Sequence, residues 1–422
     1  MDKPSLQSRY CNGYLCDWIS RLPDEILVSI LDKLDSKTAV STSLLSRRWR
    51  HLWRFLEPLH FSEVILPGNY CWVRLGPMEE RLTKNKDHHF LESLQWFTRL
   101  KKDTALRRLS IVFSGSKECS DVVHSAIASA VEHGIREIDM AIVGKMKYEF
   151  PWWLFSGNRS PSLTSLCLCS CKLSVPLNFG GFSSLTKLAL VNMYMSVKET
   201  QVLLRCCTNL VTLHLIGMFD IRILKLPKLK ELLWLWSSPL DKFKVKTPNL
   251  QRLEYCGQML PTCTFQSMPC LEHVSLQYLG DIYAEYHADK LQDISTCFPH
   301  VRRLCLRYQI PKLVRPRTPD TFLNLKVLTL NITTKSSDDL LWMVMFLIAA
   351  PYLVTLRTTV RYLSHLDSRK GVVWDDIDFQ HDNLKNVEMH NFMGRDNDIG
   401  LARLLLCRAP NVRCISFNQA PL

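Results

Sequence analysis

The chain has 422 residues, of which 47% are hydrophobic, and 53 basic against 40 acidic side chains give it a formal net charge of +13. That length is too great for one ordinary core unless the chain is a repeat array, and the hydrophobic content is that of a globular protein. The longest apolar run, Leu340–Ala350, is about half a bilayer span, and the opening MDKPSLQSRYCNGYLCDW lacks the apolar core of a signal peptide. These features predict no membrane partner, residence in the nucleus and/or cytoplasm, and reduced thiols at most of the 16 cysteines. The positive charge is compatible with nucleic acid, an acidic protein segment or an inositol phosphate, or with lysines and arginines solvated on a repeat surface.

Residues 1–16 are expected to be a flexible N-terminus. The segment 17–56, DWISRLPDEILVSILDKLDSKTAVSTSLLSRRWRHLWRFL, then predicts a compact three-helix unit. Leu22-Pro23 precede Asp24-Glu25, a proline and acidic residues suited to a first helical turn. Ile26, Leu27, Ile30, Leu31 and Leu34 follow at helical spacing. A second short helix fits Lys37–Leu45, and a third fits Ser46–Phe55, with Ser46 as N-cap and Trp49 and Trp53 four apart on one face. The apolar surplus exceeds what forty residues can bury internally, which points to a docking surface.

The residues D-x-I-S-x-L-P-D-E-I-L, followed by Thr42-Ser43, Leu45-Ser46-Arg47-Arg48-Trp49-Arg50 and Leu52-Trp53, resemble the F-box of plant F-box proteins, with Trp18 in the variable second position. The resemblance implies docking on a Skp-type adaptor and, through it, on the cullin and RING subunits of a ubiquitin ligase. It also implies Leu22, Pro23, Leu27, Ile30, Leu31, Leu45, Trp49 and Trp53 as contact or supporting residues, a set that spacing cannot divide.

Residues 57–100 read as a linker and anchor region. Leu59-His60-Phe61 suit the start of a strand, and Asp87–Leu100 suits an amphipathic helix presenting Phe90, Leu91, Leu94 and Phe97. From residue 101 to 383 the pattern L-x-x-L-x-L recurs with conservative swaps. Counting the terminal segment 384–422, thirteen units run from Leu106-Leu109-Ile111 to Val412-Ile415-Phe417. The mean step of about 25 residues is that of leucine-rich repeats. Thr358 breaks the apolar rule in the Leu353 unit. Proline stands two residues before the first apolar position at Pro161, Pro227, Pro248, Pro269, Pro299, Pro351 and Pro410, as expected for a turn that ends one element and starts an extended one. Ser196-Val197-Lys198-Glu199 reads as a capping box for an outer helix, and Asp338-Asp339 and Asp398 precede two others.

The fold class expected is therefore α/β: a small three-helix F-box followed by a leucine-rich-repeat solenoid, with a curved parallel sheet and outer helices and loops. One repeat cannot bury its own leucines, whereas stacked neighbours can. Residues alternating with the buried positions face the concave surface, the expected recognition face. In two units these are Thr212, His214 and Ile216, and Arg303, Cys305 and Arg307. The run Leu232-Leu233-Trp234-Leu235-Trp236 is apolar on both alternations, so either Leu233 and Leu235 or Trp234 and Trp236 are exposed, unless a neighbouring loop covers them. A basic cluster gathers Arg302, Arg303, Arg307, Lys312, Arg315 and Arg317.

The terminal segment LKNVEMHNFMGRDNDIGLARLLLCRAPNVRCISF resembles the FBD module of plant F-box/leucine-rich-repeat proteins, and it is expected to cap the array. No dinucleotide, phosphate-loop or zinc-hydrolase spacing is present. Cys167 and Cys169 alternate with Leu166 and Leu168 and read as concave-face strand residues rather than metal ligands. No nucleophile–base pairing is readable, so no cofactor is expected and any ligase chemistry belongs to partners. The favoured reading is a substrate-recognition subunit of a Skp-cullin-F-box ubiquitin ligase that holds an unknown protein target. The alternatives are a sensor holding an inositol phosphate and a hormone at Arg302, Arg303 and Arg307, and a basic nucleic-acid binder, for which no aromatic-basic RNA motif or DNA-reading helix is recognised.

Overall fold

The computed structural model describes residues 18–31, 33–34, 36–52, 59–62, 94–95, 107–113, 117–143, 148–156, 163–219, 221, 223–237, 244–257, 268–278, 294–310, 321–334, 341–362 and 379–418. The expected contact Trp53, the cations Lys312, Arg315 and Arg317, Pro161, residues 1–16 and most of the helix expected over Asp87–Leu100 lie outside them.

Three short helices open the chain, Asp24–Leu31, Ser36–Ser41 with a 3-10 turn over Thr42–Leu44, and Trp49–Leu52. The strands are β1 (Leu59–Ser62), β2 (Arg108–Phe113), β3 (Glu137–Ile142), β4 (Ser165–Cys169), β5 (Lys187–Val191), β6 (Thr212–Ile216), β7 (Ile223–Lys225) and β8 (Glu231–Ser237). They continue with β9 (Lys244–Lys246), β10 (Arg252–Gly257), β11 (His273–Tyr278), β12 (Arg303–Ile310), β13 (Val327–Thr334), β14 (Thr355–Tyr362), β15 (Asn386–His390) and β16 (Cys414–Asn418). Fourteen of them form one sheet, in chain order except that β7 and β9 are skipped and pair only with each other. Each of the thirteen sequence units supplies one strand of the large sheet, and β1 is added ahead of them.

All pairings in the large sheet are parallel and keep equivalent residues side by side: Leu188 stands against Leu213, Leu213 against Leu232 and Leu232 against Leu253. These inward positions make one continuous core from Leu94 to Ala409. Thr358 occupies the inward position between Leu330 and Met389 and is buried there, so the break in the apolar pattern does not break the strand.

The return path depends on the length of the unit. Longer connections carry helices on the far side of the sheet: Lys117–Glu132, Val197–Cys206, Leu341–Ala349 and Asp396–Arg408. Among the described residues, the shorter connections flanking β8 carry the short strands β7 and β9. The Ser196 capping box is present: its backbone N–H donates to Glu199 Oε2 at 2.7 Å, and its Oγ accepts from the Glu199 N–H at 3.3 Å.

Two local devices set the register. The first is the turn that feeds each strand. Leu229 N–H donates to Leu226 O at 3.2 Å, Leu250 to Thr247 at 3.1 Å, and Leu353 to Ala350 at 3.0 Å. Pro227, Pro248 and Pro351 are thereby placed second in β-turns, where their fixed φ suits the backbone. The third residue of several such turns is asparagine, which donates to the carbonyl of the preceding unit's turn. Asn209 reaches Ser183 O, Asn249 reaches Pro227 O, Asn324 reaches Pro299 O, Asn383 reaches Pro351 O and Asn411 reaches Asp382 O, all at 2.7–2.9 Å. The sequence reading found the prolines and missed these asparagines.

The second device is the strand exit. Ser170, Asn192, Gly217, Trp236 and Asn391 follow β4, β5, β6, Leu235 and β15, and all have positive φ. Four of them donate one last backbone hydrogen bond to the next unit before the chain turns away: Ser170 to Val191, Asn192 to Ile216, Gly217 to Leu235 and Asn391 to Asn418. Asn391 also donates from Nδ2 to Val360 O at 2.6 Å, Phe392 packs on Phe417 at 4.5 Å between ring centres, and Gly394 has φ 68. The N-F-x-G-R run of the terminal unit is thus a turn with defined roles for three of its residues. On β16, the last strand of the large sheet, Phe417 is 51% exposed and Ile415 is only partly buried.

Gly217 has φ 119, and a Cβ there would stand 2.9 Å from Asn192 Oδ1. Gly217→Ala should lower unfolding stability by about 1–3 kcal/mol, read from the urea midpoint. Asn249→Ala, which removes one exposed inter-turn bond, should cost about 1 kcal/mol by the same measurement.

Candidate functional site

The three-helix unit is small enough that few side chains can be interior. Leu27, Leu31, Ala39, Trp49 and Leu52 fill its core, with Leu22 and Val28 at the edge. The Trp49 N–H donates to Ser46 Oγ at 3.4 Å, consistent with Ser46 capping the third helix. Arg48 donates from Nε to Asp24 Oδ1 at 2.7 Å and from a terminal nitrogen to Leu22 O at 2.5 Å, fastening the entry of the third helix to the start of the first. The ion pair is exposed, so its contribution is small.

This geometry divides the residues expected at the adaptor surface. Leu27, Leu31 and Trp49 belong to the unit's own core and support the fold; no partner reaches them without opening it. Leu22 is half-buried at the rim. Pro23, Ile30 and Leu45 are exposed, and Leu45 is 69% exposed. Leu44 is 88% exposed, and Ile19, Ile26 and Leu34 are exposed as well. Helical spacing contained the signal: Leu27 and Leu31 form one i, i+4 pair and Ile26 and Ile30 another, turned about 100° away. A two-turn helix has room for only one of these pairs inside.

The second surface is the open face of the sheet, where residues alternate with the buried leucines. Thr212 and His214 lie there, both half-buried, and His214 stands in register between Ala189 and Leu233. Burial pushes the His214 imidazole below its usual pKa, with Glu231 opposing and Lys187 assisting. Among the described residues its buried Nδ1 has no hydrogen-bond partner. Cys167 and Cys169 lie on this face as expected. Among the described residues, no group of three or more His, Cys, Asp and Glu side chains is placed to hold a metal.

The apolar run over β8 resolves differently from either alternative. Leu232 and Trp234 point into the main core, where Trp234 meets Tyr255 edge to face at 6.1 Å. Trp234 is therefore not a surface contact. Leu233 is on the open face yet buried, clustered with Val191 and Ile216 and flanked by Leu235 and Cys169. Trp236 alone of the run is exposed, held at φ 63 where the pairing with β10 slips by one residue. A bulky residue in the left-handed region marks strain at that bulge.

Charge on the open face is mostly neutralised in place. Arg108 meets Asp139 at 2.6 Å and Glu137 at 3.8 Å. Arg252 pairs with Glu254 and stands 3.7 Å from Glu231, and Arg357 meets Glu388 at 3.0 Å. Arg302, just before β12, lies 3.7 Å from Glu272. Arg303 and Arg307 are both exposed on β12, with Cys305 half-buried between them.

The F-box family model matches residues 19–61, and the model described as the At1g61320/AtMIF1 LRR domain matches residues 100–421. Relatives come from Arabidopsis thaliana. The F-box/FBD/LRR-repeat protein At1g13570 is 23% identical over 96% of this chain and 91% of its own length. The FBD-associated F-box protein At5g56370 is 25% identical over the same shares. The F-box protein At1g80960 is 47% identical over 17% of this chain and 15% of its own. With a parallel-sheet repeat array behind a three-helix unit whose core is Leu27, Leu31 and Trp49, the chain belongs to the plant F-box/leucine-rich-repeat proteins, and its array to the At1g61320/AtMIF1 LRR family.

Proposed function

We propose that this protein is the substrate-recognition subunit of a Skp-cullin-F-box ubiquitin ligase, working in the nucleus and/or cytoplasm. The F-box docks on a Skp-type adaptor and, through it, on cullin and RING subunits. The repeat array holds a target protein on the open face of its sheet. The observation that carries this reading is the division within the F-box: among the described residues Leu27, Leu31, Ala39, Trp49 and Leu52 form its core, while Leu44, Leu45 and Ile30 stay exposed. Exposed leucines at that density on so small a unit favour a docking role.

The mechanism is tethering. Holding a target near a charged ubiquitin-conjugating enzyme raises its effective concentration, and no side chain of this protein need touch the reacting bond. The protein acts as a non-catalytic adaptor in this reading.

Affinity capture of the intact chain and of a chain lacking residues 17–56, with and without a proteasome inhibitor, tests the whole assignment. Adaptor and cullin should disappear from the deleted form while target proteins accumulate on it; adaptor retention by the deleted form overturns the reading. At single-residue level, Leu44→Asp and Leu45→Asp together should weaken adaptor binding by about thirtyfold or more, the scale of a 2 kcal/mol interface residue, with no loss of helical signal. Trp49→Ala should act by another route. It should destabilise the F-box by about 3–5 kcal/mol, seen as loss of its own unfolding transition in calorimetry.

A further inference from the structure

Among the described residues, the arginines of the open face fall into two classes. Arg108, Arg252 and Arg357 each have a carboxylate within ion-pair distance, supplied by their own or a neighbouring strand. Arg303 and Arg307 on β12 and Arg361 on β14 have none. Their surroundings explain why. The open-face residues in register with β12 are His273, Ser275 and Gln277 on β11, and Val327, Thr329, Asn331 and Thr333 on β13, none of them acidic. Arg307 pairs in register with Asn331, and Arg361 with Thr333, so the two guanidinium-bearing positions flank a floor of hydroxyl and amide groups.

We propose that the open face over β12–β14 binds an extended acidic segment of the target protein, carrying phosphorylated or carboxylate side chains that complete the pairing of Arg303, Arg307 and Arg361. Spacing favours a peptide with several anionic groups over a single small anion. Arg303 and Arg307 are four residues apart on one strand, about 13 Å between Cα atoms, and Arg361 lies two strands, or about 10 Å, to the side. An extended segment sets alternate side chains about 7 Å apart, so residues two or four apart in the target can meet successive arginines. Threonine and asparagine between them donate to the remaining oxygens, and the arginine fork suits phosphate and carboxylate alike. The site lies apart from the apolar cluster of Val191, Ile216 and Leu233 on earlier strands.

The proposal rests on the reading of the array as the target-holding end, and its test separates the two. The full chain, co-expressed with a Skp-type adaptor and immobilised through that adaptor, is probed with three degenerate peptide pools carrying a fixed phosphoserine, glutamate or serine. The phosphoserine or glutamate pool should be retained at least about tenfold over the serine pool, and retention should fall steeply between low and moderate salt. Arg303→Ala with Arg307→Ala should abolish that preference, whereas Arg302→Ala, which removes an already paired cation, should leave it. Equal retention of the three pools, or a preference unchanged in the double variant, overturns the proposal, as does saturable binding of inositol hexakisphosphate with no peptide selection. Failure of the immobilisation step itself, with peptide selection intact in directly coupled protein, counts against the adaptor reading alone.

Discussion

A leucine-rich strand cannot exist singly in water, and the parallel register that solves this problem governs everything else in the molecule. Leu188, Leu213, Leu232 and Leu253 stand side by side because one hydrogen-bonded ladder runs unbroken through their strands. A slip of one residue would turn the leucines outward and bring His214, Glu254 and Arg357 inward, an exchange no repeat could survive. The register is held at both ends of the strands. Asparagine-linked turns stack where the chain enters, and left-handed residues close the ladder where it leaves. Between these two lines of fixed geometry, the outward positions are free to carry any side chain.

That freedom divides the molecule chemically. The inward rows are mostly leucine, isoleucine and valine, while the outward rows hold paired arginines on some strands, a half-buried histidine on another and exposed arginines on β12. Recognition can therefore change without altering the core. The F-box shows the same economy on a smaller scale, since Leu27 and Leu31 face its core while Ile26 and Ile30, on the same helix, stay exposed.

Much of this was legible in the sequence because burial restricts residue type. Thirteen apolar triplets became thirteen strands, even through Thr358, which fits as a buried hydroxyl among apolar neighbours. Proline marked the turns correctly. What was not legible depended on partners distant in sequence. Whether Arg303 or Arg357 is neutralised is decided by the next strand in the ladder, which for Arg357 means Glu388, 31 residues on, and a single strand's pattern has no means of reporting it. Leu27 and Ile26 differ by one position and 100° of helix, so composition alone could not say which enters the core with Trp49. The three-residue strands β7 and β9 were too short to produce any alternation.

The two kinds of return path have a geometric effect on the recognition face. Helices are about 10 Å across, whereas strands repeat every 4.8 Å or so, and units backed by helices must splay apart on that side. Units backed by β7 and β9 need far less room. A unit backed by Leu341–Ala349 or Asp396–Arg408 therefore favours curvature toward the open face, which a unit backed by a three-residue strand does not demand. The return side of the array can thus shape a recognition surface that it never touches.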